Sequence, residues 1–220
     1  MAEKFPSSFG VALVVALSSA LYVTPACAQS AQPPARRATY GLQAGVNFAT
    51  LGGDSVENAK TRTGFVAGVY ANWPMSNGFS FHPSVLYSME GAKESDSQAD
   101  VTLKQDYIRV PAMLRYTWPM AGTSHPFVAV GPSFGYQVKC EISGSSNGIS
   151  ASASCDAFTE PGRSQRKKFD VSGRVEAGID FAMSGRKLTL GGAYSYGFTD
   201  VVNNESAKNR VISVFLGFGM

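Results

Sequence analysis

One stretch of the sequence holds a histidine, a serine and a glutamate, the residue types used in hydrolysis. His82 and Ser84 flank a proline, and Glu90 follows in the same stretch. A serine nucleophile needs a base and an orienting group within hydrogen-bond reach. On an extended strand, residues two apart share a face but lie about 7 Å apart, too far for direct activation of Ser84. We therefore favour a polar interior contact and predict no catalytic residues and no enzyme activity.

The cysteines suggest a different chemistry, an oxidative cross-link. The chain contains Cys27, Cys140 and Cys155. Cleavage after Ala28 would remove the first and leave an even pair in an oxidising compartment, which predicts a Cys140–Cys155 disulfide. The alternative is two unpaired thiols. A metal site is less favoured, because no histidine or further cysteine lies nearby in the sequence.

The N-terminus is typical of a secreted protein. Residues 1–28 combine Lys4, an apolar run over residues 9–23 and an Ala-Cys-Ala cleavage motif, the parts of a signal peptide. The run is shorter than the roughly 20 residues of a spanning helix. A lipidated Cys27 is the less favoured alternative, because the residues before it lack the usual leucine. Residues 29–38 are predicted to be a flexible linker and residues 39–220 the folded domain.

The elements that position these residues are predicted to be strands. Of the 220 residues, 44% are hydrophobic, 16% charged and 11% aromatic, and 23 are glycine, a composition that favours a β protein. Every periodic stretch alternates with period two. The alternating apolar positions run over Tyr40–Phe48, Phe65–Trp73, Phe79–Met89, Ile108–Trp118, Val128–Val138, Val171–Phe181, Leu188–Phe198 and Ile212–Met220.

The two faces of these eight stretches differ in charge. One face is almost uncharged, whereas the other carries Arg109, Arg115, Arg174, Glu176, Asp180, Glu90 and His82 among glycines and serines. A soluble lipocalin-like barrel would bury the apolar face, but eight strands enclose little room for so many large side chains. We therefore predict an all-β, eight-stranded antiparallel up-and-down transmembrane barrel with lipid outside and polar groups inside.

The interior charges allow two arrangements. They either pair across the lumen and close it, or line a narrow passive channel. Pairing is favoured because unpaired charges in a confined interior are costly. Pro83, Pro111 and Pro132 should each mark a bulge or weakened pairing, because proline lacks a ladder donor.

The predicted connections alternate in length. Short turns lie between residues 73 and 79, 118 and 125, and 183 and 187. Longer polar loops are expected over residues 51–60, 92–101, 140–168 and 200–208, the third carrying the cysteine pair. This asymmetry is typical of outer-membrane barrels, whose long loops lie outside the cell.

Several segments together resemble a known family. In order, these are GLQAGVNFATLGGD, TGFVAGVYANWPMSNGFSFHPSVLYSMEGAK, DYIRVPAMLRYTW, HPFVAVGPSFGY, LTLGGAYSYGFTDV and NRVISVFLGFGM. Their order resembles the outer-membrane β-barrel domain family that includes PorT-like proteins. The resemblance implies an integral outer-membrane barrel, usually without an assigned activity, in a Gram-negative envelope. The implied partners are outer-membrane lipid, lipopolysaccharide and the barrel assembly machinery.

Two further features complete the sequence-based expectations. The His-x-Ser arrangement also resembles that of outer-membrane lipid A deacylases, but by parity it faces the lumen, away from bilayer lipid. Basic residues at 163, 166, 167 and 168 either contact lipopolysaccharide phosphates or form a solvated surface. The net charge of +3 is small and dispersed, which excludes a nucleic-acid footprint. We expect no cofactor, and a structural, adhesive or envelope-assembly or secretion accessory role with an unidentified surface partner.

Overall fold

The computed structural model describes residues 37–52, 60–95, 100–146, 149–155, 168–199 and 208–220. The expected signal peptide, most of the linker and the basic residues 163, 166 and 167 lie outside these ranges. The strands are β1 (Thr39–Gly52), β2 (Lys60–Pro74), β3 (Phe79–Ser95), β4 (Asp100–Thr117), β5 (Ser124–Ser146), β6 (Ile149–Ser154), β7 (Phe169–Met183), β8 (Arg186–Gly197) and β9 (Lys208–Gly219). No helix within the described ranges is long and apolar enough to cross a membrane.

Eight of the strands close into a barrel. Each strand pairs antiparallel with the next in the order β1–β2–β3–β4–β5–β7–β8–β9, and β9 pairs back onto β1. The β1–β9 ladder extends from Gly41 opposite Gly219 to Gly52 opposite Lys208, so the closing seam is continuous. The predicted eight-stranded antiparallel barrel is confirmed.

Strand β6 lies outside the barrel and corrects the prediction of a single polar loop over residues 140–168. Strand β5 continues to Ser146, and β6 returns along it from Ser146 opposite Ile149 to Glu141 opposite Ser154. The predicted loop over residues 92–101 is also too long, because β3 and β4 remain paired to Ser95 opposite Asp100. These extensions contain few large apolar side chains, so the alternation that marks the membrane strands is weak in them.

The two ends of the barrel differ in the length of their connections. Residues 75–78, 118–123 and 184–185 form the short connections at one end, the short-turn end. Ser184 and Gly185 have φ values of 42° and 82°, as a two-residue hairpin turn of type I′ requires. The remaining connections between barrel strands leave the opposite end, called here the long-loop end.

The strand ladders have gaps beside the prolines, in line with the prediction of a bulge or weakened pairing at each of them. The β3–β4 ladder skips from Pro83 to Leu86, and the β4–β5 ladder skips from Pro111 to Leu114, each without a change of register. The recorded register shifts lie elsewhere, between Thr61 and Val66 on β2 and between Asp106 and Tyr107 on β4. The prolines therefore interrupt hydrogen bonding locally but do not bend the strands through bulges.

Burial follows the alternation of side chains. Along β9, buried and exposed residues alternate without interruption, and Leu216 points outward while Ser213 and Phe215 point inward. Glycines make room for the larger inward groups: a Cβ on Gly191 would lie 2.6 Å from the Phe215 ring. The apolar face thus points away from the barrel axis, and the polar face fills the interior.

Candidate functional site

The structure places all seven charged or titratable residues singled out from the sequence inside the barrel. They come from three strands: His82 and Glu90 from β3, Arg109 and Arg115 from β4, and Arg174, Glu176 and Asp180 from β7. Each is buried, with Arg109 3% and Glu90 1% exposed. Six of them form three ion-paired groups along the barrel axis. The seventh, His82, contacts Asn72 and Tyr70.

The group nearest the long-loop end is centred on Arg109. Its guanidinium donates from Nε to Glu90 Oε1 at 2.5 Å and from Nη2 to Glu90 Oε2 at 2.6 Å, a bidentate pair. The same Nη2 lies 2.8 Å from Asp170 Oδ2 on β7. Ser88 also donates to Glu90, at 2.8 Å, and Arg62 donates to the Glu90 backbone carbonyl. One arginine therefore links β3 to β7 across the lumen.

The group nearest the short-turn end is centred on Asp180. Arg115 Nη2 donates to Asp180 Oδ2 at 2.5 Å, and Thr189 donates to Asp180 Oδ1 at 2.7 Å. Lys187 Nζ lies 3.4 Å from the same carboxylate. The Arg115 guanidinium also lies over the Phe127 ring, 3.5 Å from its centroid, so a cation–π contact fixes its plane.

Between these groups, Arg174 and Glu176 pair along one strand. Arg174 Nε donates to Glu176 Oε1 at 2.7 Å, and its Nη1 donates to Ser195 on β8 at 3.1 Å. Residues two apart on a strand share a face, so this pair needs no partner from across the lumen. The interior thus holds paired charges at three levels.

The hydrolase residues are not brought together as a triad. His82 Nδ1 lies 3.4 Å from Asn72 Oδ1, and its ring centroid lies 4.9 Å from that of Tyr70. Ser84 is buried beside them on β3. The Glu90 carboxylate, which a triad would need as the orienting group, is bound by Arg109 and Ser88 instead.

Sequence reasoning missed three charged members of these groups: Asp170, Lys187 and Arg62. Asp170 has the same strand parity as Arg174 and Asp180, so extending the alternation to the first residues of β7 would have found it. Lys187 adjoins a tight turn, where alternation is weakest. Arg62 has the inward parity of the buried Val66 and Tyr70, but it precedes the alternating stretch that begins at Phe65.

The predicted disulfide is confirmed. Cys140 and Cys155 are bonded, with 5.4 Å between their Cα atoms and a sequence separation of 15. Cys155 is buried and directly follows β6. The bond therefore joins the end of the β5–β6 hairpin to the point where β5 leaves the barrel.

Reduction of this bond should loosen the hairpin but not the barrel. A loop of this length is stabilised by roughly 3 kcal/mol in the chain-entropy model. We expect limited proteolysis after dithiothreitol to cut within residues 140–155 while the barrel core stays protected. The variant Cys140→Ser/Cys155→Ser should be cut there without reductant and show no further change with it. Equal protection of the oxidised and reduced hairpins would contradict this expectation.

The described residues contain no group of three or more histidine, cysteine, aspartate or glutamate side chains placed to hold a metal ion. Arg109, Arg115 and Arg174 are instead paired with interior carboxylates, and hydroxyl groups of Ser88, Thr189 and Ser195 bind further atoms of these pairs. The arrangement is suited to filling the barrel and linking its walls.

A known family and several solved structures are similar to this chain. The model of the outer membrane protein beta-barrel domain family matches residues 27–203. Among solved structures, Neisserial surface protein A is 17% identical, with a TM-score of 0.45, covering 82% of this chain and 97% of that one. Ail, the attachment invasion locus protein of Yersinia pestis, is 14% identical, with a TM-score of 0.43 and coverages of 84% and 99%.

The outer membrane enzyme PagL is 11% identical, with a TM-score of 0.39 and coverages of 80% and 97%. At such identities the similarities concern the fold alone. A search of the curated proteins finds no match. Because the family model covers most of the sequence and the strands close into a barrel with an apolar outer face, the chain belongs to the outer membrane protein beta-barrel domain family and is located in the bacterial outer membrane.

Proposed function

We propose that this protein is a closed, non-enzymatic membrane anchor that presents its long-loop end at the cell surface, in a structural, adhesive or envelope-assembly or secretion accessory role. The observation that carries the proposal is the burial of the charged interior. Arg109, Glu90 and Arg115 are almost completely buried. A conducting lumen would leave such side chains hydrated along the ion path.

The pairing supports a plug in preference to a selectivity filter. In channels, ions are selected by rings of unpaired charged side chains of one sign that line the pore. Arg109, Arg115 and Arg174 each lie within 2.8 Å of a carboxylate, and these pairs lie at three levels of the lumen. Opposite charges held this closely are already neutralised, so they would not attract a permeating ion.

The hairpin supports a role at the surface. Strand β5 continues past the barrel, pairs with both β4 and β6, and is fixed by the Cys140–Cys155 bond. The construction offers a preorganised surface for contact with a partner, which lowers the entropy cost of binding. The order of the glycine and aromatic motifs supports placement in the PorT-like branch of the family.

The same contacts argue against catalysis at His82 and Ser84. Both side chains are buried on the inward face, and Glu90, the acid on the same strand, is bound by Arg109. A lipid substrate would approach from the opposite face of the wall.

Conductance in a planar bilayer tests the proposal. The folded protein should insert without current steps, because the interior pairs fill the lumen. A porin of known conductance, added to the same bilayer, verifies that insertion events are detectable. Reproducible unitary steps from the folded protein would instead establish the narrow passive channel.

A further inference from the structure

A polar pocket, called here the short-turn pocket, opens at the short-turn end of the lumen. Its volume is about 300 Å³, at the lower end of the range for small-molecule sites. Six strands each contribute one polar side chain to its lining: Asn72, Ser80, Thr117, His125, Asp180 and Lys187. Each of these residues has the parity of the buried lumen residues on its own strand, so the pocket belongs to the lumen and not to the lipid-facing wall.

The lining of the pocket consists mainly of hydrogen-bond donors. Lys187 carries an ammonium group, Asn72 an amide, and Ser80 and Thr117 carry hydroxyl groups. Asn72 and Ser80 are 8% and 5% exposed, so the surrounding barrel holds both side chains in place. Asn72 Oδ1 already lies 3.4 Å from His82 Nδ1, so a ligand would meet this amide through its Nδ2 donor. A ligand with several acceptor oxygens would therefore find preorganised partners, which lowers the entropy cost of binding.

The acidic side chain of the lining, Asp180, is shared between two cations. Its Oδ2 accepts from Arg115 Nη2 at 2.5 Å and lies 3.4 Å from Lys187 Nζ. Its Oδ1 accepts from the Thr189 hydroxyl at 2.7 Å. One carboxylate thus faces two positive groups, and Lys187 has the longer of the two contacts. Arg115, Lys187 and Asp180 together carry a net charge of +1.

This excess positive charge determines which ligands suit the pocket. Inside a barrel the low-dielectric wall strengthens electrostatic interactions, so a charge without a full counterpart is costly. A ligand with one negative charge beside Lys187 would balance the excess.

A doubly charged ligand would replace the excess positive charge with an excess negative one, next to the carboxylate of Asp180. The charge of the pocket therefore favours a single carboxylate over a phosphate dianion or a dicarboxylate. The amide and hydroxyl groups of Asn72, Ser80 and Thr117 favour a ligand that carries hydroxyl groups as well.

We propose that the short-turn pocket binds a small hydroxylated monocarboxylate. Lys187 binds its carboxylate, and Asn72, Ser80 and Thr117 form hydrogen bonds with its oxygen atoms. With the long-loop end at the cell surface, the pocket takes this ligand from the periplasm, and on this point alone the inference rests on the proposed function. Binding itself requires neither a particular orientation in the membrane nor a closed lumen.

The test compares glucose, gluconate and glucarate, which are similar in size and are neutral, singly charged and doubly charged. The folded protein is titrated with each in neutral detergent micelles at constant ionic strength. The chain has two histidines, and His125 lines the pocket, so the ring signals of histidine-labelled protein report occupancy, with His125→Gln assigning the signal. Gluconate should shift the His125 signal until it saturates, glucose should leave it unchanged, and glucarate should bind more weakly than gluconate.

Two variants locate the charged ligand. Lys187→Gln should weaken gluconate binding about tenfold or more, because a hydrogen bond between charged groups is lost. The matched control is Arg186→Gln, which removes the same charge from the neighbouring residue on the opposite face. Arg186 lies over the ring of the outward residue Phe218, with its Cζ 5.7 Å from the ring centroid. The control should bind gluconate within about twofold of the wild type, because an exposed charge outside the pocket is screened by salt.

Each contrary result overturns the proposal in a different way. Equal weakening in Lys187→Gln and Arg186→Gln would show general attraction between charges. Equal binding of glucose would exclude recognition of the carboxylate, and tighter binding of glucarate would exclude selection of a single charge. Heat-modifiable gel migration verifies folding. If Lys187→Gln does not fold, Ser80→Ala should weaken gluconate binding about threefold, and an unchanged affinity in that variant would overturn the proposal.

Discussion

Arg109→Glu is expected to prevent the barrel from folding stably. Arg109 holds Glu90 by two hydrogen bonds and lies 2.8 Å from Asp170, all three being buried. Removing one partner of a buried ion pair costs about 3–5 kcal/mol because the remaining charge is left without compensation. Reversal leaves two carboxylates unpaired and adds a third beside them. The expected cost exceeds that range and is comparable to the whole stability of an ordinary domain.

Urea titration of the folded protein, followed by the heat-modifiable band, measures this effect. The matched control is Arg186→Glu, the same charge change at an exposed position of the short-turn end, which should shift the midpoint little. A neutral triple variant, Glu90→Gln/Arg109→Gln/Asp170→Asn, should be more stable than Arg109→Glu, because it leaves no buried charge alone. A midpoint for Arg109→Glu equal to that of the wild type would show that these pairs do not hold the barrel together.

The barrel itself was predictable because the membrane imposes a simple rule on its strands. Each spanning strand must place apolar side chains in lipid and polar side chains in the lumen, so period-two alternation is present throughout. Strand β9 is the clearest case, with Val214 and Leu216 outward and Ser213 inward. The disulfide was predictable for another reason, since two cysteines remain after the expected cleavage.

Strand β6 and the ion-pair partners were not predictable in the same way. The β6 sequence ISASAS has almost no contrast between its faces, and its pairing follows from the position of β5 and the disulfide. Partner choice in the lumen depends on strand stagger, which brings Asp170 to Arg109 although they are on β7 and β4. Alternation identifies which residues face inward, but it carries no information on their height along the barrel axis.

The outward face leads to a second large effect, from Val175→Lys. Val175 lies near the middle of β7 and is 49% exposed on the apolar wall. A lysine at the bilayer midplane of an outer-membrane barrel costs about 2–4 kcal/mol, whereas one near the interface costs about 0–1 kcal/mol. Val138, which is 50% exposed and lies at the long-loop end of the apolar wall on β5, provides the matched control as Val138→Lys.

Urea unfolding in phospholipid vesicles compares the two variants directly. The difference arises because only the lysine at the midplane must bring its ammonium into hydrocarbon, while the one at the interface reaches water and phosphate along its flexible stem. The urea midpoint of Val175→Lys should therefore fall well below that of Val138→Lys. The difference between the two midpoints should be smaller in detergent micelles, because micelles shield the barrel surface from water less completely than a bilayer does. Equal midpoints in vesicles would place the bilayer at another height on the wall of the barrel.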